Sequence, residues 1–349
     1  MRFAYVFLAA LLTCSLDVRS VELEIAAAPN PNVFPLLLAM HDHPDLPVKL
    51  VPVKDNSGMD VAFDQGADGL LAMTYAIAQK ANGKVPDLAL EGVYFWRGFF
   101  EMTVPDVHDF RGLKGKGLIV SGPVSSGKGG APDMLFQAAL KRSGMSSDDF
   151  SICYLPVKQG VSLIERGKPM NSEPACQGTL PASGILLVEP AASGLRLKSA
   201  MPFGGESIER GVDLQKLFSG YTEWQADELP HGGFAIRRAS LNDPVKKSQY
   251  AAVIHAYREA IDEIDHAGGM FARMRIARII SSEMDKYYGQ YKVDLPAMVV
   301  ANAIGNGEMR FSHDRTLSSI HSDLSSFIKE VSNVQALPPG FFLRPDDLN

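Results

Sequence analysis

After its first dozen residues the sequence has no apolar run near the roughly 18 residues that a membrane-crossing helix needs, so no spanning helix is expected. Basic residues are not in excess: 34 Lys and Arg stand against 40 Asp and Glu, for a formal net charge of −6. With neither a basic stripe nor an RNA-type aromatic motif, nucleic acid is excluded as a partner. Low-complexity tracts are absent too, and 46% hydrophobic and 9% aromatic content describes a folded globular chain. No G-x-S-x-G, H-E-x-x-H or C-x-x-C pattern occurs, so no catalytic residue, cofactor or metal ligand is assigned and the chain is not read as an enzyme. His41 and His43, at i and i+2, cannot share a helix face and read as a solvated turn. The 14 methionines are scattered along apolar stretches, as core filling requires.

What is present begins at the N-terminus. Arg2 precedes an apolar run over 3–12, and Val18 and Ser20 take the −3 and −1 positions of a cleavage site. Residues 1–20 therefore read as a secretory signal peptide, which places the protein in the periplasm or otherwise outside the cytoplasm. Its removal takes away two arginines and one aspartate, moving the net charge from −6 to −7. A second processing route, lipid attachment at Cys14, has Thr13 before the cysteine, a poor match to a lipoprotein signal. Export leaves Cys153 and Cys176 as an even pair, either a disulfide or two buried thiols.

Strand patterns recur over 21–26, 48–53, 88–103, 118–120, 150–156, 185–190 and 234–239. Helical segments intervene, among them one opened by Asn30 as N-cap with Pro31 at the first position, and another opened by Asp243-Pro244. The alternation predicts an α/β fold with two mostly parallel sheets. The stretch 201–230 is weakly patterned, and the proline-rich tail after Leu337 is expected to lie along the surface.

The sharpest local signal is Gly122-Pro-Val-Ser-Ser-Gly-Lys128-Gly129, between a predicted strand and a helix. It follows the phosphate-loop pattern except at its last position, where Gly129 has no hydroxyl to hold Mg²⁺, so a nucleotide triphosphatase is rejected. Two readings stay open: backbone N–H groups and a helix N-terminus gripping an anionic or polar ligand group, or a tight turn that merely caps a helix.

Four segments carry a resemblance. Gly66-Ala67-Asp68-Gly69 resembles a G-x-x-D-a step, and 109–116 with Leu118-Ile119-Val120 resembles a D-L-K-G-K-x-hydrophobic step. The segment 138–144 is similar to aL-x-x-x-G, and 188–193 to x-E-P-x-a-s. In that order and spacing, residues 21–330 resemble the type II periplasmic solute-binding proteins of ABC importers. The branch is the one with sulfonate-, nitrate- and thiamine-precursor-pyrimidine-binding members.

The resemblance implies two Rossmann-like lobes with a hinge and an interlobe ligand cleft, lobe one at 21–105 plus 235–349 and lobe two at 106–234. On lobe one the matching cleft positions are Asn30, Asn32, Thr74, Tyr75, Tyr94 and Trp96; on lobe two they are Ser125, Ser126, Gly127 and Glu189. The implied function is capture of a small organic, anionic ligand by a monomer that serves an ABC permease at the inner membrane. The alternatives are a carrier of an apolar, lipid-like ligand and a sensor input module. A pyrimidine synthase of the same fold is set aside, since three cysteines scattered from Cys14 to Cys176 do not form its iron segment. The segment 167–184 departs from the family's G-x-i-D-A pattern, so no specific ligand is carried over.

Overall fold

The computed structural model describes residues 22–125, 127–200 and 207–348. The signal-peptide and Cys14 expectations, and Ser126, lie outside these.

The chain opens with β1 (Leu23–Ala27), α1 (Phe34–Asp42), β2 (Val48–Pro52), α2 (Asn56–Asp64), β3 (Gly69–Met73), α3 (Thr74–Asn82) and β4 (Leu88–Arg97). Before α1, the Asn30 side chain accepts the Asn32 N–H at 3.0 Å and Pro31 starts a 3₁₀ turn, so the local signals of the sequence set this first βα step. Apolar β1 lies between β2 and β3 in parallel register, and every residue of β4 is buried.

β4 runs into β5 (Phe99–Thr103) with Gly98 alone between them, yet the two strands belong to different sheets. There follow β6 (Gly117–Gly122), α4 (Ala131–Arg142), β7 (Ser151–Pro156), α5 (Val157–Glu165), β8 (Ala182–Val188), α6 (Ala191–Ser199), β9 (Glu209–Asp213) and α7 (Leu214–Leu217). The chain returns through β10 (Gly232–Arg237), α8 (Pro244–Asp265), α9 (Gly269–Tyr288), α10 (Ala297–Gly305), β11 (Arg310–Phe311) and α11 (His321–Ser332).

The six-stranded first sheet has the order β11-β4-β10-β3-β1-β2, and the five-stranded second sheet β7-β6-β8-β5-β9. β6 pairs in parallel with β7 and β8, whereas β5 pairs antiparallel with β8 and β9. β5 thus pairs in the second sheet, and β10, which starts at Gly232, pairs in the first. α8 buries Val253, Ile254, Tyr257, Ile261 and Ile264 on one stripe, and the Tyr257 hydroxyl donates to the Asn32 carbonyl at 2.7 Å. Each such side chain removed from water contributes roughly 1.5–3 kcal/mol.

Cys153 on β7 and Cys176, in the unusual 167–184 segment, form a disulfide with their Cα atoms 5.1 Å apart. The tail differs from expectation. Phe341 and Leu343 are buried, and the Leu90 N–H donates to the Phe341 carbonyl while the Leu343 N–H donates to that of Leu90. This pairing satisfies part of the outer edge of buried β4, which would otherwise carry orphaned backbone groups. No helix among the described residues is long and apolar enough to cross a membrane.

Candidate functional site

A cleft of about 340 Å³ lies where the two sheets face each other, lined from both. Its walls are the carboxyl ends of five strands: Ala28 and Asn30 beyond β1, residues 54–57 beyond β2, Met73 at the end of β3, Gly122 at the end of β6 and Val188 at the end of β8. In open α/β sheets this is where ligands bind, because loops and helix N-termini gather there.

The glycine loop has a backbone reason for its composition. Gly127 has φ +76°, and a Cβ on Gly122 would lie 2.8 Å from the Gly127 nitrogen, so these two positions pack backbone against backbone. The loop delivers the chain to α4, whose N-cap Gly130 supplies no side-chain cap. α3 also starts without one, at Met73, and both N-termini border the cleft. The Thr74 N–H donates to the His231 carbonyl, and Asp133 in the first turn of α4 accepts the Gly129 N–H, so what these N-termini add is the partial positive charge of their remaining amides.

Lys54 from the first-sheet side and Lys128 from the second add two cations to the lining, and neither makes an ion pair with a described residue. Lys128 also lies over the Tyr154 ring, 5.6 Å from its centroid. The acid of the lining, Asp55, caps α2 by accepting the Ser57 and Gly58 N–H groups. Burial pushes its carboxyl up, but these hydrogen bonds outweigh burial and hold it below the usual carboxylate range. Met59, Met73, Phe99 and Val188 give the cleft an apolar floor.

Of the residues singled out from sequence, Asn30, Ser125 and Gly127 meet in this cleft. Others are placed elsewhere. Asn32 is buried and stitches β3 to β10 through the Ala72 and Gly233 carbonyls. The Thr74 hydroxyl donates to the Pro230 carbonyl, and Tyr75 packs edge-on against Phe327. Tyr94 bonds Glu91, and Trp96 donates to the Ser312 carbonyl and stacks on Arg315. Glu189, one residue beyond Val188, is fully buried. It accepts the Ser193 N–H at 3.1 Å and lies 3.8 Å from Arg210, which in turn binds Glu308 at 2.6 Å. Burial and then the Glu308 carboxylate push the Glu189 carboxyl up to about 7.

Sequence reasoning passed over Lys54, Asp55, Ser57, Met59, Phe99 and Lys128 as lining residues. Asp55 followed by Ser57 and Gly58 is an N-cap signature just beyond a parallel strand, a signal that marks the cleft once the strand order is known. Phe99 carried no comparable signal, since nothing but Gly98 separates it from β4. Among the described residues no three His, Cys, Asp or Glu side chains gather as a metal site.

No protein-family model and no curated protein matches the chain. Solved structures do. An ABC transporter protein of Parabacteroides distasonis superposes with a TM-score of 0.61 at 13% identity, covering 93% of this chain and 99% of that one. The ligand-binding component of an ABC-type import system of Staphylococcus aureus, solved with zinc bound, gives 0.59 at 12% identity, covering 93% and 97%. A Candida albicans protein described as having the generic periplasmic binding protein fold gives 0.56 at 16% identity, covering 94% and 93%. At such identities the likeness is one of architecture. The chain has the periplasmic binding protein fold, two α/β lobes with a cleft between them.

Proposed function

We propose that this chain is an extracytoplasmic solute-binding protein that captures a small organic anion in the cleft and presents it to an ABC importer. One observation carries the reading: the N-termini of α3 and α4, which have no side-chain caps, meet Lys54 and Lys128 around one cleft, with contributions from both sheets. Helix N-termini and unpaired lysines stabilise a carboxylate, sulfonate or similar group, and a water-poor apolar floor strengthens that attraction. The lobes of this proposal are 22–97 with 232–348, and 99–213, so that closure about Gly98 and the return strand folds both walls over the ligand. The ligand acts here as cargo, bound and released without chemistry, by a protein working as a monomer. The similar solved structures from ABC transport systems support the import role at the level of fold. The signal-peptide reading of residues 1–20 supports export.

The floor of Met59, Met73, Phe99 and Val188 favours a second reading, a carrier of a mainly apolar molecule. Calorimetric titration of the purified mature protein with small sulfonates, nitrate, pyrimidines and neutral lipids separates the two. An anionic compound is expected to saturate one site, and the Ser125→Ala/Lys128→Ala variant to weaken it about tenfold, or about 1.4 kcal/mol. Equal affinity for a neutral isostere would favour the apolar carrier. An anion whose affinity the double variant leaves unchanged would remove the cleft assignment.

A further inference from the structure

A second cavity, of about 960 Å³, shares no lining residue with the cleft. It lies between the β4 edge, α8, α11 and the C-terminal tail, and its size is within the range of small-molecule sites. Two properties set its chemistry. Ile254, Leu317, Leu337 and Phe342 give it apolar walls. Its strong cations are Arg258, Arg315, Lys329 and Arg344, against Glu91 as its acid.

The distribution of the counter-charges matters more than the number. Glu91 is fully engaged, taking Arg258 at 2.7 Å on one oxygen and the Tyr94 hydroxyl at 2.6 Å on the other. Glu228 and Asp347, the acids that hold Arg315 and Arg344, are not part of the lining. Lys329 is exposed and makes no ion pair with a described residue. His321, at the start of α11, lines the same cavity, its ring 4.7 Å from that of Phe342. The wall is thus apolar, with the charge of Lys329 beside it unmatched, while Arg258, Arg315 and Arg344 are each held by an acid. The tail that forms it is fastened by Arg238, which donates to the Gly340 and Phe342 carbonyls.

We propose that this cavity is a second binding site, for a single-chain amphiphile with an anionic head, such as a medium-chain carboxylate. The chain lies along Phe342, Leu337 and Ile254, and the head pairs with Lys329. The site is independent of the cleft and of the transport reading.

The probe is dodecanoate below its micelle concentration, titrated calorimetrically into full-length mature protein that carries Ser125→Ala/Lys128→Ala to weaken the cleft. Saturable 1:1 binding is expected to persist in this background. Adding Lys329→Glu, a change at an exposed side chain with the fold checked by circular dichroism, is expected to weaken it about tenfold. Dodecyltrimethylammonium, with the same tail and the opposite charge, is expected to bind more weakly than dodecanoate and to gain from Lys329→Glu. The proposal is overturned by any of three results: no saturable binding in the cleft-weakened background, affinity indifferent to Lys329→Glu, or equal binding of the two amphiphiles.

Discussion

The two halves of the molecule meet twice, along the cleft and along a seam, and the two meetings treat charge in opposite ways. At the seam Arg97, Arg142, Arg196 and Arg210 each have an acid. Glu308, from the connection between α10 and β11, takes Arg196 at 2.8 Å and Arg210 at 2.6 Å from the second-sheet side. Arg142, at the end of α4, holds Glu330 on α11 through two nitrogens, each at 2.7 Å. Arg97, at the end of β4, meets Asp213 at the end of β9 at 2.6 Å. In the cleft, Lys54 and Lys128 make no ion pair with a described residue, though the charge of Lys54 acts on Asp55 beside it, and two helix N-termini add to their field. On the proposed function the difference tells what each meeting is for: the seam satisfies its own charges and holds the halves together, whereas the cleft leaves its lysines for a ligand.

This contrast predicts that seam variants change stability and cleft variants change affinity. The largest expected effect is at Arg210, which is mostly buried between Glu308 and Glu189. Arg210→Ala leaves buried Glu189 and Glu308 facing each other without their shared cation, at an expected cost of about 3–5 kcal/mol in urea unfolding. Ligand affinity of the folded fraction should be unchanged. A variant as stable as the parent would mean that the seam is not what holds the halves.

Next comes Glu189. Its carboxyl, pushed from 4.5 up to about 7, keeps a proton in the folded protein that the unfolded chain has already released. Stability therefore falls as pH rises from the unfolded value to about 7, and this contribution is constant above that. Glu308, which Arg210 and Arg196 hold below its usual range against the effect of burial, acts in the other direction and only at lower pH. Between pH 5 and 7 the Glu189 contribution amounts to about 2 kcal/mol, and Glu189→Gln should abolish it. Denaturant melts at the two pH values test this, and parallel slopes in parent and variant would dismiss it.

The same pair of neighbours shows how far the sequence could be read. Val188-Glu189-Pro190 is legible as a buried strand end next to a ligand site, and Val188 does line the cleft. That Glu189 points into the seam depends on Glu308, 119 residues later, and no local pattern carries that information. Elements with periodic apolar residues and caps, such as β1, the Asn30–Pro31 turn and α8, are legible because local energetics and packing agree. β9 is not, since Glu209, Arg210, Gly211 and Asp213 offer no apolar alternation and its place is set by backbone pairing to β5. The aromatic run at 94–100 shows composition without direction: Phe99 reaches the cleft, Tyr94 the second cavity, and Trp96 the Arg315 side. A single residue of offset on a strand decides which face a ring takes, and Phe99 belongs to β5 rather than to the strand that carries Tyr94 and Trp96.

The smallest expected effect is the sharpest test of the contrast, because it acts on one helix that belongs to both meetings. α4 begins at the cleft and ends at the seam, where Arg142 binds Glu330 and the Tyr221 hydroxyl also donates to Glu330 at 2.6 Å. The Arg142 and Glu330 side chains are 24% and 25% exposed, so solvent screens their pairing only in part. Arg142→Ala should cost about 1 kcal/mol, near the upper end for an accessible pair, because the bidentate geometry and the stacking of Arg142 on Phe218 and Tyr221 are lost together. If the seam serves cohesion alone, cleft affinity in this variant stays within about twofold of the parent, less than 0.5 kcal/mol. A larger change in affinity, in either direction, would mean that the seam end of α4 sets the position of its cleft end, and that cohesion and capture are coupled through this helix rather than divided between the two meetings.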